Sequence, residues 1–178
     1  MTIFLVGYMG SGKSSLGQKL AYNLKHEFID LDKYIEEQEG RTIKEIFEED
    51  GEDYFRKLER LYLHRVIDTE DTVISTGGGV ILKEENIDIL KRIGTVVFLH
   101  TTYENLLKNL KGDKKRPLLQ RDDAEKVIRN LLNKREPIYF NAASMIIQTS
   151  DKTVEEIADE IIDFNLRLPV ERHLKEVA

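Results

Sequence analysis

Residues 7–15 read GYMGSGKSS, and Gly7, Gly12, Lys13 and Ser14 fit the spacing G-x-x-x-x-G-K-[ST]. Glycines let a backbone curl until successive N–H groups converge on one anion, with no side chain in the way. A helix starting near Lys13 would aim its positive end at the same point. An ammonium at position 13 suits the β- and γ-phosphates of a nucleoside triphosphate, and the hydroxyl of Ser14 suits Mg²⁺. The competing reading is a glycine-rich turn that matches by accident. The apolar run TIFLVG before it and the leucines after it give the strand–loop–helix context that such a turn would lack.

Other groups could work beside bound phosphates. The stretch FIDLD carries Asp30 and Asp32 at the end of an apolar run, where open parallel sheets present their ligands. One carboxylate there would help hold hydrated Mg²⁺, and the other would take a proton or hydrogen bonds from an incoming hydroxyl. Equally, either one would cap a helix beginning near Lys33. A third run ends in STGGGV, whose Gly77, Gly78 and Gly79 bring another backbone to the same rim. Arg56 in GEDYFRKLE, Arg116 in KKRPLL and Arg135 in NKREPIY lie at element ends. Each alone reads as a solvated side chain, and spacing does not prove that they converge.

The elements that must position these residues alternate along the chain. Short β-branched runs occur at 2–7, 27–31, 72–76, 95–99 and 144–149, with helical spacing between them. Leu16, Leu20 and Leu24 fall four apart. Thr42 and Glu45 form a Thr-x-x-Glu capping box. Phe55, Leu58, Leu61, Tyr62 and Val66 make one apolar face, and Asp122 and Thr153 read as further N-caps. Strands alternating with helices imply an α/β fold with a parallel sheet covered on both faces. The most loop-like stretch is 110–123, with Gly112, Pro117 and a dense mix of charge.

Bulk properties narrow the function classes. A chain of 178 residues suits a single domain with one core. A net charge of −6 argues against a nucleic-acid binder with a basic surface. With no cysteine, disulfides and thiolate metal sites are excluded. The four histidines, 26, 64, 100 and 173, lack metal-ligand spacing. No apolar run approaches the roughly 20 residues that span a bilayer. The start lacks a basic leader and a cleavage site, so a cytoplasmic protein is expected. Abundant Lys, Glu and Ile would suit a thermophile.

Taken together, GYMGSGKSS, FIDLD, GEDYFRKLE, STGGGV, KKRPLL and KREPIY resemble the shikimate kinase family in order and spacing, from Thr2 to about Phe164. The resemblance implies a three-layer P-loop kinase fold with a five-stranded parallel sheet, like that of the nucleoside monophosphate kinases. A helical substrate-binding region would span about 31–62, and a mobile lid about 110–123. The implied reaction moves the ATP γ-phosphoryl group to the 3-hydroxyl of shikimate, with Mg²⁺, in the aromatic amino-acid route through chorismate. It also implies residue roles. Gly10, Ser11, Gly12, Lys13, Ser14 and Ser15 would wrap the ATP phosphates. Ser14 and Asp30 would support the metal, and Asp32 would grip the shikimate hydroxyls and act as base. Arg56 and Arg135 would clamp the carboxylate, Gly77, Gly78 and Gly79 would border the ring, and Arg116 would close from the lid. Lys13, Asp32 and Arg116 form the implied catalytic set, in a monomer that needs neither nucleic acid nor membrane.

Seven residues before Arg116, many family members carry an arginine that packs on adenine. This chain has Asn109 there, beside Lys108 and Lys111. Adenine is therefore expected between the lid stem and the loop TSDKT. The tail 165–178 falls outside the resemblance, and its Leu166, Leu168 and Leu174 would dock as an extra helix. Two other functions are compatible with a P-loop. One is a kinase of the same fold acting on gluconate or a nucleoside monophosphate. The other is a nucleotide switch, with hydrolysis independent of any acceptor.

Overall fold

The computed structural model describes residues 1–110 and 123–176, with side chains through residue 167. Arg116 and most of the expected lid thus lie outside the described residues. The first element is strand β1 (Thr2–Val6), followed by helix α1 (Lys13–Leu24) and strand β2 (Glu27–Asp30). Three helices then follow: α2 (Leu31–Glu39), α3 (Ile43–Glu49) and α4 (Glu52–Val66). Strand β3 (Thr72–Ser75), a short 3₁₀ turn (Val80–Leu82), helix α5 (Glu84–Ile93) and strand β4 (Gly94–His100) come next. The chain continues with α6 (Tyr103–Leu110), α7 (Ala124–Ala142), β5 (Met145–Gln148) and α8 (Val154–Glu176).

All strand pairs are parallel, and the sheet order is β2-β3-β1-β4-β5. Burial on both faces explains why the strands read as unbroken apolar runs. In β1, Phe4 and Val6 enter one core with the helices α2, α4, α5 and α7, while Ile3 and Leu5 enter the other with α1 and α8. In β4, Val96 and Phe98 alternate with Val97 and Leu99 in the same way. Fully burying each such side chain contributes about 1.5–3 kcal/mol. The central strand therefore fixes both layers at once.

The order has a direct consequence for the site. β1 lies between β3 and β4, and β1 delivers the loop 7–12. The turn after β3 sits on one side of that loop and the end of β4 on the other. The register aligns Asp30 with Ser75 and Leu5 with Ser75. The carboxyl ends of β2, β3 and β1 thus finish level. This is the crevice at which open parallel sheets bind ligands.

Several local expectations need correction. Leu31 belongs to α2 rather than to β2, because Asp30 caps the helix: its Oδ1 accepts from the Lys33 N–H at 3.4 Å. On α4, Leu61 is 46% exposed, and the buried face carries Leu63 and Glu59 instead. Residues 55, 59, 62, 63 and 66 follow the helical period more closely than 61 does. The residue before α7 is Asp123, whose side chain makes no capping hydrogen bond, whereas the expected cap Asp122 lies outside the described residues. The Thr42–Glu45 capping box is present, and Thr153 with Glu156 forms a second one. Of the three tail leucines, Leu166 is 66% exposed and does not dock, while Leu168 and Leu174 lie outside the described side chains. The tail prolongs α8, and the buried Asn165 accepts a hydrogen bond from Thr95 at 2.6 Å.

Candidate active site

The loop between β1 and α1 is built on left-handed backbone. Gly10 and Gly12 have φ of +76° and +90°, values that an L side chain resists. Gly12 is the N-cap of α1, and no side chain caps the helix. The first-turn N–H groups of Lys13, Ser14 and Ser15 are therefore left without a side-chain cap, the state in which a helix N-terminus can receive an anion. Lys13 Nζ donates to the carbonyls of Gly7 at 2.8 Å and Tyr8 at 2.7 Å, which holds the ammonium over the loop. Ser14 Oγ donates to Asp30 Oδ2 at 2.6 Å. Asp30 thus caps α2 with one oxygen and meets the Ser14 hydroxyl with the other.

On the β3 side, the three glycines of STGGGV each touch a residue singled out in the sequence. A Cβ on Gly77 would lie 2.6 Å from Asp32 Oδ1, and one on Gly79 would overlap the Arg56 guanidinium. The Gly78 carbonyl accepts from Arg135 at 3.3 Å. At Gly77 and Gly79 a side chain would collide with Asp32, Glu59 and Arg56, whereas a Cβ at Gly78 would meet Tyr139 and Arg135 only at ordinary contact distances. The turn gathers Asp32 from α2, Arg56 from α4 and Arg135 from α7 around one backbone, all half-buried. The Gly7 and Gly78 carbonyls both lie within reach of the Tyr139 hydroxyl, so this cluster adjoins the phosphate loop.

Two residues of this cluster were missed in the sequence, Glu59 and Tyr139. Glu59 is 1% exposed and holds Arg56 at 2.7 Å, while Glu52 takes the other side of the guanidinium at 2.9 Å. Burial works against charge on Arg56, but the Glu59 and Glu52 carboxylates outweigh it and raise its pKa. Burial pushes Glu59 up to about 7, with Arg56 opposing and Asp32 reinforcing the shift. The signal was legible: a glutamate at a buried position of an amphipathic helix, three residues after Arg56, needs a partner. Tyr139 lies one turn beyond Arg135, on the same face of α7. Burial raises the pKa of its hydroxyl well above the ordinary tyrosine value, so it serves as a neutral donor.

On the β4 side lies a cleft of about 270 Å³. Leu16, Leu99, Val154 and Ile157 give it an apolar floor, and Asn105, Lys108 and Asn109 of α6 face Thr149 and Lys152 across it. These are the lid stem and the TSDKT loop expected to hold adenine. Asn109 Nδ2 donates to the Gly10 carbonyl at 2.9 Å, so it joins α6 to the phosphate loop.

Comparison with known proteins decides the family. The shikimate kinase family model matches residues 9–165. The chain belongs to the shikimate kinase family. A shikimate kinase of Caldanaerobacter subterraneus subsp. tengcongensis is 45% identical over 166 residues, 93% of this chain and 96% of that protein. One of Persephonella marina is 44% identical over 160 residues, 90% and 96% of the two chains. The structure of shikimate kinase from Acinetobacter baumannii in complex with shikimate matches with a TM-score of 0.87 at 39% identity, over 96% of this chain and 93% of that one. Members of this shikimate kinase family are ATP-dependent phosphotransferases, and the five-stranded sheet order found here is theirs. Among the described residues, no helix is long and apolar enough to cross a membrane.

Proposed function

We propose that the crevice at the carboxyl ends of β1, β2 and β3 seats shikimate beside ATP and carries phosphoryl transfer to the shikimate 3-hydroxyl. The observation that supports this reading most is the STGGGV turn, against which Asp32, Arg135 and Arg56 each lie at a different glycine. In this reading Arg56 and Arg135 clamp the carboxylate with planar guanidinium groups. Asp32 accepts the 3-hydroxyl proton as that oxygen attacks the γ-phosphorus. The bond from the γ-phosphorus to the bridging oxygen breaks, and ADP leaves with the electron pair.

Residues Gly10 to Ser15 hold the phosphates through loop amides and the end of α1, and Lys13 balances charge on the γ-phosphoryl oxygens. The oxygens of Ser14 and Asp30, 2.6 Å apart, are hard donors of the kind Mg²⁺ takes alongside waters and phosphates. When bound there, Mg²⁺ would neutralise charge on the β- and γ-oxygens. Arg116 would add positive charge from the lid. The reading also takes the chain as one kinase domain, monomeric and cytoplasmic, with the substrate-binding region at about 31–62 and the lid at about 110–123.

The acceptor is tested by supplying the purified protein with ATP and, in turn, shikimate, gluconate, AMP or no acceptor. ADP formation that depends on shikimate is expected. Turnover of gluconate or AMP without shikimate turnover, or ATP loss that needs no acceptor, would overturn the proposal.

A further inference from the structure

The glycine loop after β1 sends one side chain away from the phosphate position and into α7. Tyr8 is 5% exposed, and its ring stands edge-on to Phe98 and Tyr139, with centroids 6.0 and 4.8 Å away. That packing needs no hydroxyl, and a phenylalanine would supply it. The Tyr8 hydroxyl has separate work: it donates to the Leu132 carbonyl of α7 at 3.1 Å. At the other end of the residue, the Tyr8 carbonyl accepts from Lys13 Nζ at 2.7 Å and from the Ser11 N–H at 3.2 Å. Tyr8 therefore bridges the loop and α7. Its phenol also lies close enough to Arg135 and Glu136 to feel both charges.

The place it holds on α7 is a weak turn of that helix. Pro137 lies inside α7. A proline has no N–H to offer the carbonyl four residues back, here Asn133, and its ring crowds that carbonyl. Arg135 sits within the turn so loosened, between Leu132 and Pro137. Regular helical bonding alone therefore does not fix the direction in which Arg135 leaves the helix. Two tyrosine hydroxyls span the turn instead. Tyr8 holds it at Leu132, and Tyr139 leads from its far side to the Gly7 and Gly78 carbonyls.

We infer that Tyr8 is a positioning residue, whose hydroxyl holds the opened turn of α7 so that Arg135 is aimed at the substrate carboxylate. This rests on the clamp reading of Arg135. Tyr8 itself touches no substrate in this arrangement and acts only through Arg135, which donates to the Gly78 carbonyl at 3.3 Å. A guanidinium grips a carboxylate through two parallel bonds, so a small error in direction costs one of them. The grip serves the bound acid equally before and during phosphoryl transfer. Its loss should therefore raise the KM for shikimate and leave kcat nearly unchanged.

The test is a double-mutant cycle on Tyr8→Phe and Arg135→Lys in the full chain. It is read as the Kd for shikimate by calorimetric titration, with steady-state kinetics beside it. Tyr8→Phe keeps the ring and removes the bond. Its Kd for shikimate should rise about three- to tenfold, the scale of one neutral hydrogen bond. Its kcat and its KM for ATP should stay within about twofold. Arg135→Lys has no fork left to aim, so adding Tyr8→Phe to it should weaken binding by less than about twofold more. If Tyr8→Phe leaves the Kd unchanged while Arg135→Lys weakens binding, the inference is overturned and the clamp stands. Full additivity of the two substitutions would also overturn it, since Tyr8 would then act by a route other than Arg135. If Arg135→Lys does not weaken shikimate binding, the clamp reading falls and takes the inference with it. Tyr8→Leu, which also lacks the hydroxyl, goes through the same cycle and decides the matter if Tyr8→Phe does not fold.

Discussion

The Tyr139 hydroxyl donates to the Gly78 carbonyl at 2.6 Å and lies 3.2 Å from the Gly7 carbonyl. One phenol on α7 thus joins the STGGGV turn, around which Asp32, Arg56 and Arg135 lie, to the glycine loop after β1. Its ring is fully buried and stacked on Phe98, with centroids 4.9 Å apart, so the hydroxyl has little freedom to move. Tyr139→Phe keeps the ring and loses the bond. Arg135 still serves Gly78 and Lys13 still serves Gly7, so neither carbonyl is stranded. A stability loss of about 0.5–1.5 kcal/mol is expected in denaturant unfolding. A several-fold rise in the KM for shikimate should accompany it.

Gly79 is matched to Arg56 by contact rather than by backbone angle. A Cβ there would overlap the guanidinium, which Glu52 and Glu59 hold on two sides. In Gly79→Ala the guanidinium must leave its place. The KM for shikimate should rise about tenfold or more, the scale of one charged hydrogen bond, while the KM for ATP stays within about twofold. Steady-state kinetics with each substrate varied in turn will check this.

Arg135→Lys keeps the charge and loses the fork. A lysine ammonium is a point charge and cannot form two parallel bonds to a carboxylate. Shikimate binding should weaken and ATP binding should not. A change confined to ATP would remove Arg135 from the clamp.

Arg116 is proposed for the catalytic set on the family pattern KKRPLL alone. Arg116→Ala should lower kcat by on the order of 10²-fold, as loss of one donor to a developing oxyanion does elsewhere. Near-normal turnover would strike it from the set.

Much of this architecture was legible because it rests on local rules. The glycine spacing at 7–12 demanded left-handed backbone, and the Thr42–Glu45 pair announced its capping box. The alternation of apolar strands with helices announced a parallel sheet. What spacing did not reveal was convergence, since Asp32, Arg56 and Arg135 lie far apart in the chain and meet only through the strand order. The apolar face of α4 was misjudged at Leu61 because hydrophobic type was weighed above period. Glu59 occupies the buried position and was overlooked for its charge. For Asp30 the sequence left two readings open, because a helix cap and a site carboxylate look identical there; the structure shows the cap and a bond to Ser14.

The central claim is that one small hydroxy acid is held at once by Asp32, Arg56 and Arg135 beside the phosphate loop. A crystal structure with shikimate and a non-hydrolysable ATP analogue tests it most directly. The carboxylate is expected between Arg56 and Arg135, with the 3-hydroxyl turned toward Asp32 and the γ-phosphate. Shikimate bound elsewhere, or bound with its carboxylate away from both arginines, would contradict the account.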